Sequence, residues 1–121
     1  MNENDVQAKI RLTISKRGWR MWRNNVGVLR NPDTGRPVRF GLANDSPKTE
    51  VASADLIGIM PLVIGPEHIG ATVGVFASIE CKRSDVTKLG NTKHETAQRA
   101  WRDLVRSLGG YAIITNGDTE L

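Results

Sequence analysis

The sequence has one cysteine, two histidines and few aromatic residues, and each scarcity excludes a class of protein. One cysteine cannot form a disulfide framework, so a reducing compartment is the default expectation. His68 and His94 have no cysteine cluster around them, so the spacing of a zinc site is missing. The longest apolar run, residues 56–65, is about half as long as the ~20 residues that a membrane-spanning helix needs.

The first residues, MNENDVQAK, also lack the basic n-region and the apolar h-region of a signal peptide. We therefore expect a cytoplasmic protein that does not enter a membrane. The 121 residues are 39% hydrophobic, which is enough to form a core. Because no repeat or linker divides the sequence, we expect one domain over residues 1–121.

Basic residues outnumber acidic ones by 17 to 13, giving a net charge of +4. They gather at residues 16–23, 36–39 and 82–106. Clustered Lys and Arg suit a phosphate-rich partner better than scattered charge does. The sequence therefore favours a partner that carries phosphates, beside the alternative that these charges only keep the protein in solution.

Periodicity predicts an α/β protein. A helix is expected over residues 3–17, and a second over 92–108, where Thr92 and Glu95 form a capping box. Trp101 lies on the apolar stripe of that second helix and is expected in the core. Strands are predicted at 19–29, 38–42, 54–64, 73–82 and 111–115. This order indicates a mixed sheet packed between helices.

The strand over 73–82 ends in an acid and an ammonium that share a face. Alternation places Glu80 and Lys82 on one side, roughly 7 Å apart, and turns Cys81 toward the core. If this strand and the preceding one, over 54–64, form an antiparallel hairpin, Asp55 meets Glu80 and Lys82. Neighbouring carboxylates repel each other and need a cation, and hard oxygen ligands favour Mg²⁺ or Mn²⁺. The alternative is an ordinary ion pair at a strand end.

Several separated motifs resemble the VRR-NUC (virus-type replication-repair nuclease) family of PD-(D/E)XK nucleases, and together they cover residues 3–115. These motifs are ENDVQ (3–7), WRNNVG (22–27), ADLIG (54–58), IECK (79–82), Gln98 on the second helix and GGYAII (109–114). The resemblance implies a restriction-endonuclease-like core, a mixed sheet flanked by helices in the order αβββαβ. It also implies cleavage of DNA with the help of a metal ion.

The resemblance assigns a role to each site residue. Asp55 and Glu80 would bind Mg²⁺ or Mn²⁺, with the backbone carbonyl of Cys81 as a further ligand. Lys82 would position or activate the attacking water. Gln98 would be an additional polar site residue, and Glu3 would reach the metal through water. We expect DNA contacts from polar and basic residues near these positions, namely Arg23, Asn24, Asn25, Lys88, Lys93 and Arg99.

The leading hypothesis is therefore a metal-dependent, structure-specific endonuclease that hydrolyses phosphodiester bonds in branched DNA. The preferred version is a homodimeric Holliday (four-way) junction resolvase, because a two-fold dimer matches the symmetry of the junction. Trp19, Trp22 and residues 59–64 could form the dimer interface. The alternatives are a flap or splayed-arm nuclease, a catalytically silent DNA-binding module of the same fold, and an unrelated structural protein.

Overall fold

The computed structural model describes residues 2–48 and 51–121. The chain divides into two compact units, unit 1 up to Gly58 and unit 2 from Ile59 to Leu121. A single domain over residues 1–121 stays a prediction. The helices are α1 (Glu3–Ser15) and α2 (Lys93–Ser107), with a short 3₁₀ helix at Pro66–His68. The strands are β1 (Arg20–Arg23), β2 (Gly27–Arg30), β3 (Pro37–Phe40), β4 (Leu56–Ile59), β5 (Ala77–Cys81) and β6 (Tyr111–Thr115).

These elements confirm the α/β class, but the strands pair differently from the expected mixed sheet. Within the described residues they form three two-stranded sheets, β1–β4, β2–β3 and β5–β6. An antiparallel hairpin between the strands of Asp55 and Glu80 is not one of these ladders. Neither α1 nor α2 has the length and apolarity needed to cross a bilayer, and the rest of the described chain offers no such helix either.

In unit 1, α1 begins where the side chain of Asn2 accepts a hydrogen bond from the Asp5 backbone N–H at 2.9 Å. The helix contacts β1. No side chain of α1 is buried, and Val6 and Ile10 are exposed. The apolar residues of α1 therefore form no buried stripe, because the four-residue β1 gives the helix little surface to pack on.

The predicted strand over 19–29 is two strands, β1 and β2, separated by residues 24–26. After this break β2 pairs antiparallel with β3, from Gly27 opposite Phe40 to Arg30 opposite Pro37. In the other sheet β4 approaches β1 closely at Gly58. A Cβ atom there would lie 2.0 Å from the Arg20 carbonyl oxygen, so this position needs glycine.

Two predicted strands are shorter than expected, the first because of its own sequence and the second because of its partner strand. The strand over 54–64 ends at Ile59, because Pro61 has no N–H for a ladder. The strand over 73–82 begins only at Ala77. Its partner β6 starts at Tyr111, which is opposite Ala77 and directly follows Gly109 and Gly110 at the end of the helical segment. Residues 73–75 therefore have no partner residue in this ladder.

In unit 2, β5 and β6 are parallel, with Ala77 opposite Tyr111 and Cys81 opposite Thr115. Parallel neighbours need a crossover connection, and α2 provides it. The buried side chains Val105, Ala112 and Ile114 form the core between the helix and the strands. Alternation therefore turns Ser78 and Glu80, which are opposite Ala112 and Ile114, toward α2.

The opposite face of this strand pair is exposed. Ile79 is 58% exposed and Tyr111 50%, and Cys81 is exposed as well. The prediction that Cys81 points into the core is wrong, because α2 covers the face of Glu80 and not the face of Cys81. The prediction that Trp101 is a core residue is also wrong, since its side chain is 37% exposed.

Candidate active site

Lys82 follows β5 and remains attached to the sheet. Its backbone N–H donates to the Thr115 carbonyl at 2.8 Å, so the β5–β6 ladder extends one residue beyond Cys81. Its side chain is half-buried, and the Nζ atom donates to Oε1 of Gln98 on α2 at 2.7 Å. The structure of unit 2 therefore brings these two predicted site residues into contact.

A cavity of about 350 Å³ lies beside this hydrogen bond. Its polar lining includes Glu80, Gln98 and His94, and Trp101 contributes an aromatic wall. The indole N–H of Trp101 donates to the Ser78 hydroxyl at 2.9 Å, and the ring meets Phe76 edge to face at 6.3 Å. Trp101 is thus fixed in orientation at the rim of the cavity.

The capping box at the start of α2 is confirmed. Thr92 accepts from the Glu95 backbone N–H at 3.1 Å, and Glu95 accepts from the Thr92 hydroxyl and, at 2.6 Å, from the Gly90 N–H. The hydrogen bond from Thr92, followed by the one from Gly90, lowers the pKa of Glu95. Because the pKa of Glu95 is lowered in the folded state, these hydrogen bonds stabilise the fold at pH values above the ordinary pKa of the carboxyl. That contribution is lost as the pH falls through the folded-state pKa.

Three arginines of α2 bind backbone carbonyls of unit 2. Arg99 donates to Gly90, and Arg106 donates to Ala112 at 2.8 Å. Arg102 makes a longer bond to the carbonyl of Leu121, at 3.4 Å. These bonds tie the helix to its surroundings, and a DNA contact by Arg99 stays a prediction. Lys88 and Lys93, the other predicted DNA contacts near this site, are both exposed.

Asp55 lies in unit 1, immediately before β4, and its side chain is exposed. It lines a cavity of about 360 Å³. Polar side chains from α1 and from the 23–25 segment line the same cavity, and Val26 and Phe40 complete it; the polar residues are Gln7, Arg23, Asn24 and Asn25. Three predicted DNA contacts therefore surround the predicted metal ligand.

Asn24 holds the segment that leads into Asp55. Its backbone N–H donates to the Asp55 carbonyl at 2.9 Å. Its side-chain amide donates to the Ser53 hydroxyl at 2.7 Å and to the Ala54 carbonyl at 2.9 Å, and Ser53 donates onward to Leu42 at 2.6 Å. Both amide hydrogens of Asn24 are thus used within unit 1, which makes it a positioning residue for Asp55.

Sequence reasoning missed several lining residues. Glu3 is the exposed first residue of α1, and Gln7 of the same motif lines the Asp55 cavity. In unit 2 the unpredicted residues are His94 and Trp101. Helical spacing could have identified both residues, because His94, four residues before Gln98, and Trp101, three residues after it, lie on the same helix face as Gln98.

The described residues do not gather three or more His, Cys, Asp or Glu side chains into one group that could hold a metal. The candidate ligands are single carboxylates, Asp55 in unit 1 and Glu80 in unit 2, together with the carbonyl of Cys81. All three are oxygen donors, the kind that Mg²⁺ and Mn²⁺ prefer. Each of these donors, taken by itself, is therefore of the chemical type that the predicted metal prefers.

Comparison with known proteins finds no match: no family model, no curated protein and no solved structure matches the chain. The VRR-NUC resemblance therefore remains a hypothesis based on the motifs within residues 3–115. The hydrogen bonds and cavities described above are independent of that resemblance.

The role of Asn24 can be tested by replacing it with alanine. Asn24→Ala leaves the Ala54 carbonyl and the Ser53 hydroxyl without their amide donor, and we expect a loss of about 1–2 kcal/mol in the free energy of unfolding. Asn25→Ala, at the neighbouring exposed position, should change it by less than ~0.5 kcal/mol. Urea titration measures both. Equal losses in the two variants would show that Asn24 does not hold this segment.

Proposed function

We propose that the protein is a metal-dependent endonuclease of the PD-(D/E)XK type that hydrolyses phosphodiester bonds in DNA. The observation that carries the proposal is the 2.7 Å hydrogen bond from Lys82 to Gln98. Gln98, which accepts this bond from the ammonium, lines one open cavity together with Glu80. This combination is what the motifs of residues 79–82 and Gln98 imply.

The ammonium of Lys82 is suited to act on a phosphate. Fixed positive charge stabilises the negative charge that develops in the transition state of hydrolysis. One of the three N–H donors of the ammonium goes to Gln98, and the proposal assigns the others to the attacking water and to a phosphate oxygen. Gln98 thereby sets the direction in which Lys82 presents its charge.

The proposal assigns Asp55, Glu80 and the Cys81 carbonyl as ligands of Mg²⁺ or Mn²⁺. When bound, such an ion supplies a hydroxide near neutral pH and balances charge on the phosphate. Glu3 is assigned to water near the ion. Arg23 and Asn25, which line the Asp55 cavity, and the exposed Lys88 and Lys93 are assigned to the DNA backbone.

A four-way junction is the preferred substrate, with a flap or splayed arm as the alternative. Two symmetric cuts need two active sites, so this version requires a two-fold homodimer. Unit 2 offers apolar surface for such an interface, since Met60, Leu62, Val63 and Ile64 are all exposed. Trp19 and Trp22, the other interface candidates, are half-buried, so the 60–64 segment is the better candidate.

The catalytic role of Lys82 predicts that its removal lowers DNA cleavage but not DNA binding. With Mg²⁺ or Mn²⁺, wild type should cut branched DNA, and EDTA should stop it. Lys82→Ala should lower cleavage by about 10²–10³-fold, the usual cost of removing a transition-state donor, and leave DNA binding largely intact. Lys9→Ala, on the exposed surface of α1, is the matched control. Cleavage by Lys82→Ala at the wild-type rate would contradict the assigned role. Binding without cleavage by wild type would favour the silent DNA-binding module.

Metal binding predicts a shift in thermal stability. An ion that binds only the folded protein stabilises it by about 2.7 kcal/mol at a hundred times its Kd. Mg²⁺ or Mn²⁺ should therefore raise the Tm of wild type, and Asp55→Asn or Glu80→Gln should remove the rise. Differential scanning fluorimetry measures it. An equal rise in all three proteins would mean that the ion binds elsewhere.

The dimer version predicts a mass of twice 13.3 kDa in sedimentation at micromolar concentration. Val63→Glu should give the monomer, because Val63 is 89% exposed within the 60–64 segment and a buried unpaired carboxylate is unfavourable. Ile69→Glu, at an 86% exposed position outside the segment, is the control and should remain dimeric. A monomeric wild type that nicks one strand would overturn the resolvase version and leave the nuclease proposal in place.

A further inference from the structure

The amide of Gln98 has a fixed orientation, because only one of its two neighbours, Lys82 and His94, can accept a hydrogen bond. The ammonium of Lys82 has only donors. The single acceptor of the amide, Oε1, must therefore face Lys82, as it does at 2.7 Å. It follows that Nε2 of Gln98, which has two hydrogens to donate, faces the ring of His94 at 3.2 Å.

The ring nitrogen of His94 in this contact is Nε2. Since Gln98 offers it only a donor, Nε2 must accept, and a histidine nitrogen accepts only when it carries no hydrogen. A neutral His94 then has its hydrogen on Nδ1. The i,i+4 spacing on α2 brings the two side chains together, and the capping box of Thr92 and Glu95 holds the first turn that carries His94.

From this geometry we infer that His94 is a positioning residue for the proposed active site. The neutral Nδ1–H form of His94 holds the Gln98 amide with its oxygen toward Lys82, and the Gln98 oxygen in turn holds the Lys82 ammonium. Without an acceptor at position 94, Nε2 of the amide loses its partner, and the Gln98 side chain can swing away from the position in which its oxygen holds the ammonium. The inference rests on the proposed function for its catalytic consequence but not for the hydrogen bonds.

The second histidine of the chain provides an internal reference. Nδ1 of His68 accepts a hydrogen bond from the Gly65 backbone N–H at 3.0 Å. A neutral His68 therefore has its hydrogen on Nε2. The two histidines are expected in opposite tautomers, which one spectrum of the whole protein can show.

The first test is ¹⁵N NMR of the histidine rings in the full chain, about two pH units above the ordinary histidine pKa of ~6.5. His94 should show a protonated Nδ1 and an unprotonated Nε2, and His68 the reverse, with signals assigned in a His68→Gln variant. A hydrogen on Nε2 of His94 would overturn the inference, whether or not the protein cuts DNA.

A carboxylate at position 98 sharpens the test. Gln98→Glu replaces the donor that faces His94 with an acceptor, while the other oxygen still accepts from Lys82. In this variant the hydrogen of His94 should move to Nε2, which then donates to the carboxylate. The tautomer of His68 should not change. An unchanged His94 would show that residue 98 does not set its tautomer, which also overturns the inference.

The catalytic arm uses His94→Phe, which keeps the ring volume and removes the acceptor. We expect kcat on branched DNA to fall about 10- to 100-fold, the order that a misplaced group costs, with KM unchanged. His94→Gln, whose amide oxygen can accept from Gln98, should restore most of the rate. Urea unfolding confirms that both variants fold. A wild-type kcat in His94→Phe would overturn the positioning role, whereas absence of cleavage by wild type would count against the proposed function alone.

Discussion

Two parallel strands cannot be joined by a tight turn, and the arrangement of unit 2 depends on this constraint. The crossover between β5 and β6 is α2, so the helix lies over one face of the pair and brings Gln98 to Lys82 at the end of β5. Alternation along β5 then decides which side chains meet the helix, and Ser78 and Glu80 are the ones that do. The cavity, the fixed indole of Trp101 and the Lys82–Gln98 bond all follow from this connection.

Both units place a charged residue with the help of a side-chain amide. In unit 1 the amide of Asn24 bonds to the two residues before Asp55, at the point where β1 has ended. In unit 2 the amide of Gln98 bonds to Lys82 just after β5 has ended. At a strand end the backbone ladder makes its last hydrogen bonds, and an amide, with both donors and an acceptor, adds side-chain hydrogen bonds at the same point.

Local patterns in the sequence predicted the α/β class, the capping box of α2, the last strand and the shared face of Glu80 and Lys82. These features depend on neighbours a few residues away. The exposure of Cys81 and of Trp101 could not be predicted in the same way. Alternation shows which residues share a face, but only the packing of α2 decides which face is covered. The strand pairing was missed for a related reason, because it depends on which distant segments meet. The restriction-endonuclease-like core, the metal and the DNA contacts remain predictions.

The exposure of Cys81 has a practical consequence. It is the chain's single cysteine. It lies between Glu80 and Lys82 in the sequence, but its side chain is on the opposite, exposed face of β5. A maleimide dye would therefore attach at one defined position, on the face of the strand opposite Glu80, without any engineering of the protein. The same exposed thiol is available for a disulfide with a second copy when no reductant is present. Purification without a reductant would then produce a covalent dimer that gel filtration could not distinguish from a natural one.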